Sequence, residues 1–255
     1  MDGICADLAA EHSALDAVVA PLSVDQWHLA TPAPGWTVHD QIGHLTYYDG
    51  AAALAASDAD RFAAEMLNVT SADAPLDTTR PLTPEALLAR WRGGRADLLG
   101  VLRVLDPKAR IAWYGPAMSA VSFATARLME TWAHGQDIVD AVGASRPSTD
   151  RLRHICHIGV RARPFSFQIR GLAPPAGDVH VALIAPSGEL WEWGESSSRD
   201  RVRGDALDFC LVVTQRRHLA DTALTAEGPV ATKWLEIAQA FAGPPGEGRT
   251  AGQFA

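Results

Sequence analysis

The stretch METWAHGQD, residues 129–137, lies in a run that otherwise reads as a buried helix. Val121, Leu128, Trp132, Val139 and Val142 recur around it at the spacing of one apolar helix face. Arg127, Glu130, His134 and Asp137 recur at the same spacing on another side. A second, ionisable stripe is either the wet face of the helix or a face that points inward and holds something.

Three further helices are predicted upstream. Ile4, Leu8, Leu15 and Val19 form the stripe of the first, which ends near APLS. TPAPGWT then makes a turn, and Thr37 followed three residues later by Asp40 resembles a capping box that opens the second helix. Val38, Ile42, Leu45 and Ala52 lie on one side of it. A polar stretch from Asn68 to Thr83 reads as a long loop. TPEALLARWRGGRADLLGVLRVL is the third helix, weakened by Gly93 and Gly94, and DPKARIAWYGPAMS is a loop leading into the fourth, roughly Ser119 to Val142. GASRPS closes that helix with a glycine and a proline in the expected places.

Beyond this point the pattern changes to α+β. RLRHICHIGVRARPF is predicted as one helix, VHVALIAP and ELWEWG as two strands about a tight SG turn, and DRVRG as a third strand. DALDFCLVVTQRRH and GPVATKWLEIAQAF read as helices flanking a short strand around TALTAE. The expected organisation is a four-helix unit over residues 1–143, an α+β domain over residues 150–243, and a flexible tail over residues 244–255, whose GPPGEGRTAGQFA has no core-forming pattern.

Charge and composition narrow the function. Residues 1–150 carry 10 Lys and Arg against 19 Asp and Glu, whereas residues 151–218 carry 10 against 7. A nucleic-acid partner would need a concentrated basic surface, which the modest excess over residues 151–218 does not supply, and none is expected. Lys108 and Lys233 are the only lysines, a codon signature of a GC-rich bacterial genome. Cys5, Cys156 and Cys210 are odd in number and far apart, so neither a disulfide framework nor a thiolate zinc site is indicated. The beginning MDGICADLAAEH does not read as a signal peptide, and no apolar run reaches membrane-spanning length, so a cytoplasmic protein without a membrane partner is expected. Asn68-Val69-Thr70 fits a glycosylation sequon that such a protein would not use.

Glu130 and His134 are four apart and share one helix face, as a chelating pair requires. His44, on the second helix, is placed to complete the set from a neighbour. Two imidazoles and one carboxylate give three protein ligands and leave a position for water or substrate. Asp40 shares the face of His44 but is read as the helix cap. Asp137 is read as a partner that orients an imidazole. His39 lies about 140° around the helix from His44 and is rejected as a ligand. His12 falls on the apolar stripe of the first helix and reads as a satisfied core histidine, and His154 and His157 as members of a polar surface. GxSxG, P-loop, GxGxxG and HExxH motifs are absent.

PGWTVHDQIGHL together with METWAHGQDIVDAVG resembles the DinB-like superfamily, in its mycothiol-dependent maleylpyruvate isomerase branch. The resemblance implies a four-helix bundle that binds a divalent metal, usually zinc, through His44, Glu130 and His134. VRGDALDFCLVVTQRR and LTAEGPVATKWLEIAQAF resemble the small α+β, sterol-carrier-like domain attached to those isomerases. That likeness implies an arginine of the second domain at the active site, with Arg216 or Arg217 the candidate, although a basic residue ending a helix also simply complements its dipole. The same C-terminal stretch resembles a segment of wyosine-forming tRNA enzymes, against which the acidic first part argues.

The implied activity is metal-dependent isomerisation or thiol transfer on a small carbonyl-bearing metabolite, with a low-molecular-weight thiol such as mycothiol as cofactor. Arg216, Arg127 and Asp137 are the expected catalytic residues. Two alternatives stay open. One is a metal-dependent hydrolase, lyase or cyclase that needs no thiol, and the other is a non-catalytic metal-dependent binding protein. Two histidines and a carboxylate also suit a redox iron.

Overall fold

The computed structural model describes residues 1–66 and 74–254. The chain divides into two compact units, Met1–Arg146 and Pro147–Ala255. The sequon at Asn68 and the first part of the expected 68–83 loop lie outside the described residues.

The first unit runs α1 (Asp2–Val19), α2 (Val24–Trp27), α3 (Val38–Ser57), α4 (Ala59–Met66), α5 (Ala74–Asp77), α6 (Pro84–Arg103), a short ribbon β1 (Arg110–Ile111) and β2 (Met118–Ser119), and α7 (Ala120–Val142). Local chemistry sets the helix starts. Thr37 Oγ1 accepts from the Asp40 N–H while the Asp40 carboxylate accepts from the Thr37 N–H, so two otherwise orphaned donors are satisfied at the beginning of α3. Ser119 caps α7 by accepting from the Ser122 N–H, and Gly143 ends it in the left-handed conformation.

The α3 helix packs against α6 and α7, and α1 against α7 and α6. Leu15, Val38, Ile42, Leu45, Trp91 and Ile138 belong to the resulting core, each large side chain worth about 1.5–3 kcal/mol on full burial. Gly93 and Gly94 do not interrupt α6. A Cβ at Gly94 would stand 3.9 Å from the Gly50 nitrogen, so α3 and α6 approach closely there. Of the apolar stripe expected on α7, Leu128, Trp132 and Val139 are buried, whereas Val121 is exposed in the first turn.

The second unit contains α8 (Leu152–Arg161), α9 (Arg163–Gln168), β3 (Val179–Ile184), β4 (Leu190–Trp193), β5 (Asp200–Asp205), α10 (Ala206–Val213), β6 (Thr225–Glu227) and α11 (Pro229–Ile237). Residues 151–165, expected as one helix, are two. Pro164 has no N–H to continue the ladder, and the chain turns at Ala162. The sheet order is β4-β3-β5-β6, with β3 antiparallel to β4, parallel to β5, and β5 antiparallel to β6. Phe209 of α10 meets Trp234 of α11 edge to face at 5.8 Å.

The tail expected to be loose is tied down through residue 254. Gly246 N–H donates to Gln239 Oε1 at 2.9 Å, Arg170 Nη2 donates to the Gly246 carbonyl at 2.9 Å, and Gly252 N–H donates to Asp221 Oδ1 at 2.6 Å. The Arg217 guanidinium lies 3.9 Å from the Phe254 ring centre. These ties run mainly between side chains and backbone groups, which an apolar pattern does not reveal. All three cysteines are free and buried. Among the described residues no helix is long and apolar enough to cross a membrane.

Candidate metal centre

The second turn of α3 supplies His44, and successive turns of α7 supply Glu130 and His134. Their ligand atoms all lie within 4.8 Å of one another. His134 Nε2 is 3.3 Å from Glu130 Oε2, and His44 Nε2 is 3.8 Å from the same oxygen. The side chains are 18% (His44), 23% (Glu130) and 12% (His134) exposed, enough to admit a small ligand and little enough to weaken competition from water.

Burial, with the neighbouring His134, pushes the His44 imidazole down to about 4, so it is neutral at pH 7 and offers a lone pair. Burial alone would raise the Glu130 carboxyl. The contacts to His134 and His44 and the charge of Arg127 more than reverse this and hold it well below the usual carboxylate range. Two imidazoles and one anion therefore point at a common volume.

A relay behind His134 fixes its tautomer. Thr31 Oγ1 donates its one proton to the Trp36 carbonyl at 2.9 Å, so it must accept from Gln41 Nε2, also at 2.9 Å. That orientation turns Gln41 Oε1 toward His134 Nδ1, 2.5 Å away. With an ion in place, neutral His134 would carry its proton on Nδ1 and offer Nε2 to the ion. The turn that makes this possible is built on Gly35, whose φ of 78° suits glycine, and on the pairing of Ala30 with Thr37.

Aromatic rings wall the histidines. Trp36 lies nearly parallel to His134 at 5.9 Å and tilted against His44 at 5.2 Å, and Tyr48 covers His44 at 4.5 Å. Tyr48 in turn meets Trp113 and Tyr114, from the β1–β2 connection, at 6.2 and 5.6 Å.

The donor set fits a divalent ion. Two imidazole nitrogens and one carboxylate oxygen are three of the four ligands that zinc takes in catalytic sites, and they equally suit non-haem iron.

The remaining predicted residues are placed as follows. Asp137, expected to orient an imidazole, is buried, and the partner of His134 Nδ1 is Gln41. Arg127, expected as a catalytic residue, is buried and bonds Asp49 through Nε and Nη2 at 3.2 and 2.9 Å. Asp40 caps α3 and pairs with Arg80, and His39 Nε2 bonds the Leu82 carbonyl at 3.0 Å. His12 is buried as expected, yet among the described residues neither ring nitrogen has a hydrogen-bond partner. His157 is exposed and His154 half-buried. In the second unit, Arg216 Nη1 donates to the Thr214 carbonyl and Arg217 Nη1 to the Arg216 carbonyl. Gln41, Trp36 and Tyr48 escaped the sequence reading. Gln41 stands three residues before His44, a spacing that places both near one helix face and could have flagged it.

Residues 8–139 match the family model of the mycothiol maleylpyruvate isomerase N-terminal domain. Over 250 residues the chain is 49% identical to an uncharacterized protein of Mycobacterium tuberculosis (strain ATCC 25618 / H37Rv), covering 96% of this chain and 97% of that one. The protein of strain CDC 1551 / Oshkosh gives the same figures. The crystal structure of the mycothiol-dependent maleylpyruvate isomerase superposes with a TM-score of 0.61 at 17% identity, covering 89% of this chain and 94% of that one. A histidine-to-alanine variant of that enzyme also superposes at 0.61, with 16% identity over the same shares of the two chains. At such identity the structural likeness is one of fold, while the family match extends over more than half of the chain. The chain belongs to the mycothiol maleylpyruvate isomerase N-terminal domain family, as its PGWTVHDQIGHL and METWAHGQDIVDAVG segments foretell.

Proposed function

We propose that the chain is a metal-dependent enzyme that isomerises, or transfers a thiol to, a small carbonyl-bearing metabolite, using a low-molecular-weight thiol such as mycothiol. The convergence of His44 Nε2, His134 Nε2 and Glu130 Oε2 is the observation that carries this reading. Family membership supports the thiol and the isomerase chemistry.

His44, Glu130 and His134 would hold the ion, with zinc the first choice. Bound there, zinc supplies Lewis acidity, which lowers the pKa of a thiol or water and polarises a carbonyl. Around it, Glu130 contributes the only anionic ligand and offsets part of the ion's charge. By accepting from Nδ1–H, Gln41 would leave Nε2 of His134 for the ion. Trp36 and Tyr48 exclude water from the ring faces of the histidines and leave a flat, aromatic wall suited to a conjugated, planar substrate. In thiol-assisted isomerisation a thiol adds to an activated double bond, rotation follows about the resulting single bond, and the thiol departs unchanged. Retention of that thiol until it leaves is favoured by a site in which competing water is scarce.

Metal analysis of the purified chain tests the first half of the reading, with about one divalent ion per chain expected and none retained stoichiometrically by His134→Ala. Turnover of maleylpyruvate, with and without mycothiol, tests the second. Full metal occupancy in His134→Ala would overturn the ligand assignment. Turnover that needs the metal but not the thiol would replace the isomerase by a hydrolase, lyase or cyclase.

A further inference from the structure

Each of the four long helices sends one side chain into a single buried polar knot. His12 comes from α1, Asp49 from α3, Trp91 from α6 and Arg127 from α7. Asp49 is its hub and is wholly buried, while Arg127 is 4% exposed. Asp49 Oδ1 accepts from Arg127 Nε and Nη2 at 3.2 and 2.9 Å, and Oδ2 accepts from Trp91 Nε1 at 3.2 Å. His12 Nε2 stands 3.8 Å from Oδ2.

Stability alone is a poor reason for such an arrangement. Taking two charges out of water costs about as much as their attraction returns, and apolar residues of the same volume commonly do as well or better. Directional hydrogen bonds supply something apolar packing lacks, a fixed rotation and seating of one helix on another. The two helices joined by Asp49 and Arg127 are the two that carry the candidate ligands. Arg127 precedes Glu130 by one turn, about 4.5 Å along α7, and Asp49 follows His44 by about 7.5 Å along α3. Ligand sets tolerate errors of only about 0.2 Å in distance. A small rotation of α7 on α3 would therefore part Glu130 and His134 from His44.

We propose that Asp49 and Arg127 are positioning residues for the metal ligands: their buried ion pair sets the seating of α7 on α3 and so brings Glu130 and His134 to His44. This rests on the metal reading given above.

Zinc affinity by competition with a chromophoric chelator, and melting of the metal-free protein, are measured on the full chain and two variants. Asp49→Asn removes one charge of the pair. Asp49→Leu combined with Arg127→Met removes both and leaves no buried unpaired charge. Both variants are expected to bind zinc 10–100-fold more weakly, the loss typical when the partners that orient metal ligands are removed. The double variant is expected to melt at or above the wild-type temperature and still not recover zinc affinity. Wild-type zinc affinity in the double variant would overturn the proposal, since the knot would then serve stability alone, and unchanged affinity in Asp49→Asn would overturn it as well. A wild-type chain that takes up no zinc would overturn the metal reading and this proposal together, which separates the two failures.

Discussion

Gln41 Oε1 lies 2.5 Å from His134 Nδ1, and Gln41 itself is wholly buried. Thr31 and Trp36 dictate the orientation of Gln41 from behind, so the second ring nitrogen of His134 meets an acceptor. Replacing Gln41 by Leu keeps the volume and removes the acceptor. Zinc affinity is expected to fall 10–100-fold, with a cost of about 1–3 kcal/mol in stability for the orphaned N–H. Gln41→Glu retains an acceptor oxygen and should keep most of the affinity. Chelator competition and circular dichroism on the two variants check this. Equal zinc affinity in wild type and Gln41→Leu would mean that His134 needs no such orientation.

The difference between Gln41 and Asp137 shows where sequence reasoning stops. The capping box at Thr37 and Asp40 was legible because both partners lie within three residues of each other. Glu130 and His134 were legible for the same reason, one helical turn apart, and His44 through the family pattern. Asp137 has the same one-turn spacing from His134, yet the imidazole turns to α3, because Thr31 and Trp36 have already aimed Gln41 at it. That choice is tertiary. So is the ion pair of Arg127 with Asp49, 78 residues away in sequence. The break at Pro164 was readable from local sterics and was passed over, whereas the parallel pairing of β3 with β5 depends on contacts that no periodicity reports.

His12 makes the stability of the first unit sensitive to mild acid. Burial pushes its imidazole from 6.5 down to about 4, against the pull of Asp49 on α3 and with the help of Arg95 on α6 and Arg127 on α7. The folded state thus favours the neutral ring. Its contribution is complete above pH 6.5 and is lost as pH falls toward 4, where the unfolded chain takes up a proton that the folded chain refuses. Linkage puts the loss at about 3 kcal/mol by pH 4. Urea denaturation of the metal-free protein at pH 7 and pH 4.5 should show a larger drop for the wild type than for His12→Leu. Parallel drops would show that the ring does not titrate in this way.

Two helix glycines should respond to alanine in opposite senses. A Cβ at Gly159 of α8 would lie 2.9 Å from both Phe209 Cε1 and Val213 Cγ2 in the buried face of α10. Gly159→Ala is therefore expected to destabilise by about 1–3 kcal/mol despite its better helix propensity. A Cβ at Gly93 meets nothing within 4 Å, so Gly93→Ala should stabilise by up to about 1 kcal/mol. Denaturation curves of the two variants decide it, and a stabilised Gly159→Ala would contradict the close seating of α8 on α10.

Glu130 joins the geometry of the centre to its chemistry. Both histidines direct Nε2 at its Oε2, at 3.8 and 3.3 Å, so it is the one anion shared by the ligand set. Glu130→Gln preserves shape and removes that charge. The metal-free variant should keep the fold, since the side chain is partly exposed and leaves no buried cation unpaired. Zinc should bind more weakly, and turnover in the proposed reaction should fall with it. Chelation of the wild-type protein should likewise reduce turnover by orders of magnitude, and added zinc should restore it, because a three-ligand ion keeps an exchangeable position that a closed structural site lacks. Chelated protein that worked at the undiminished rate would remove the ion from the reaction, even with His44, Glu130 and His134 still binding it.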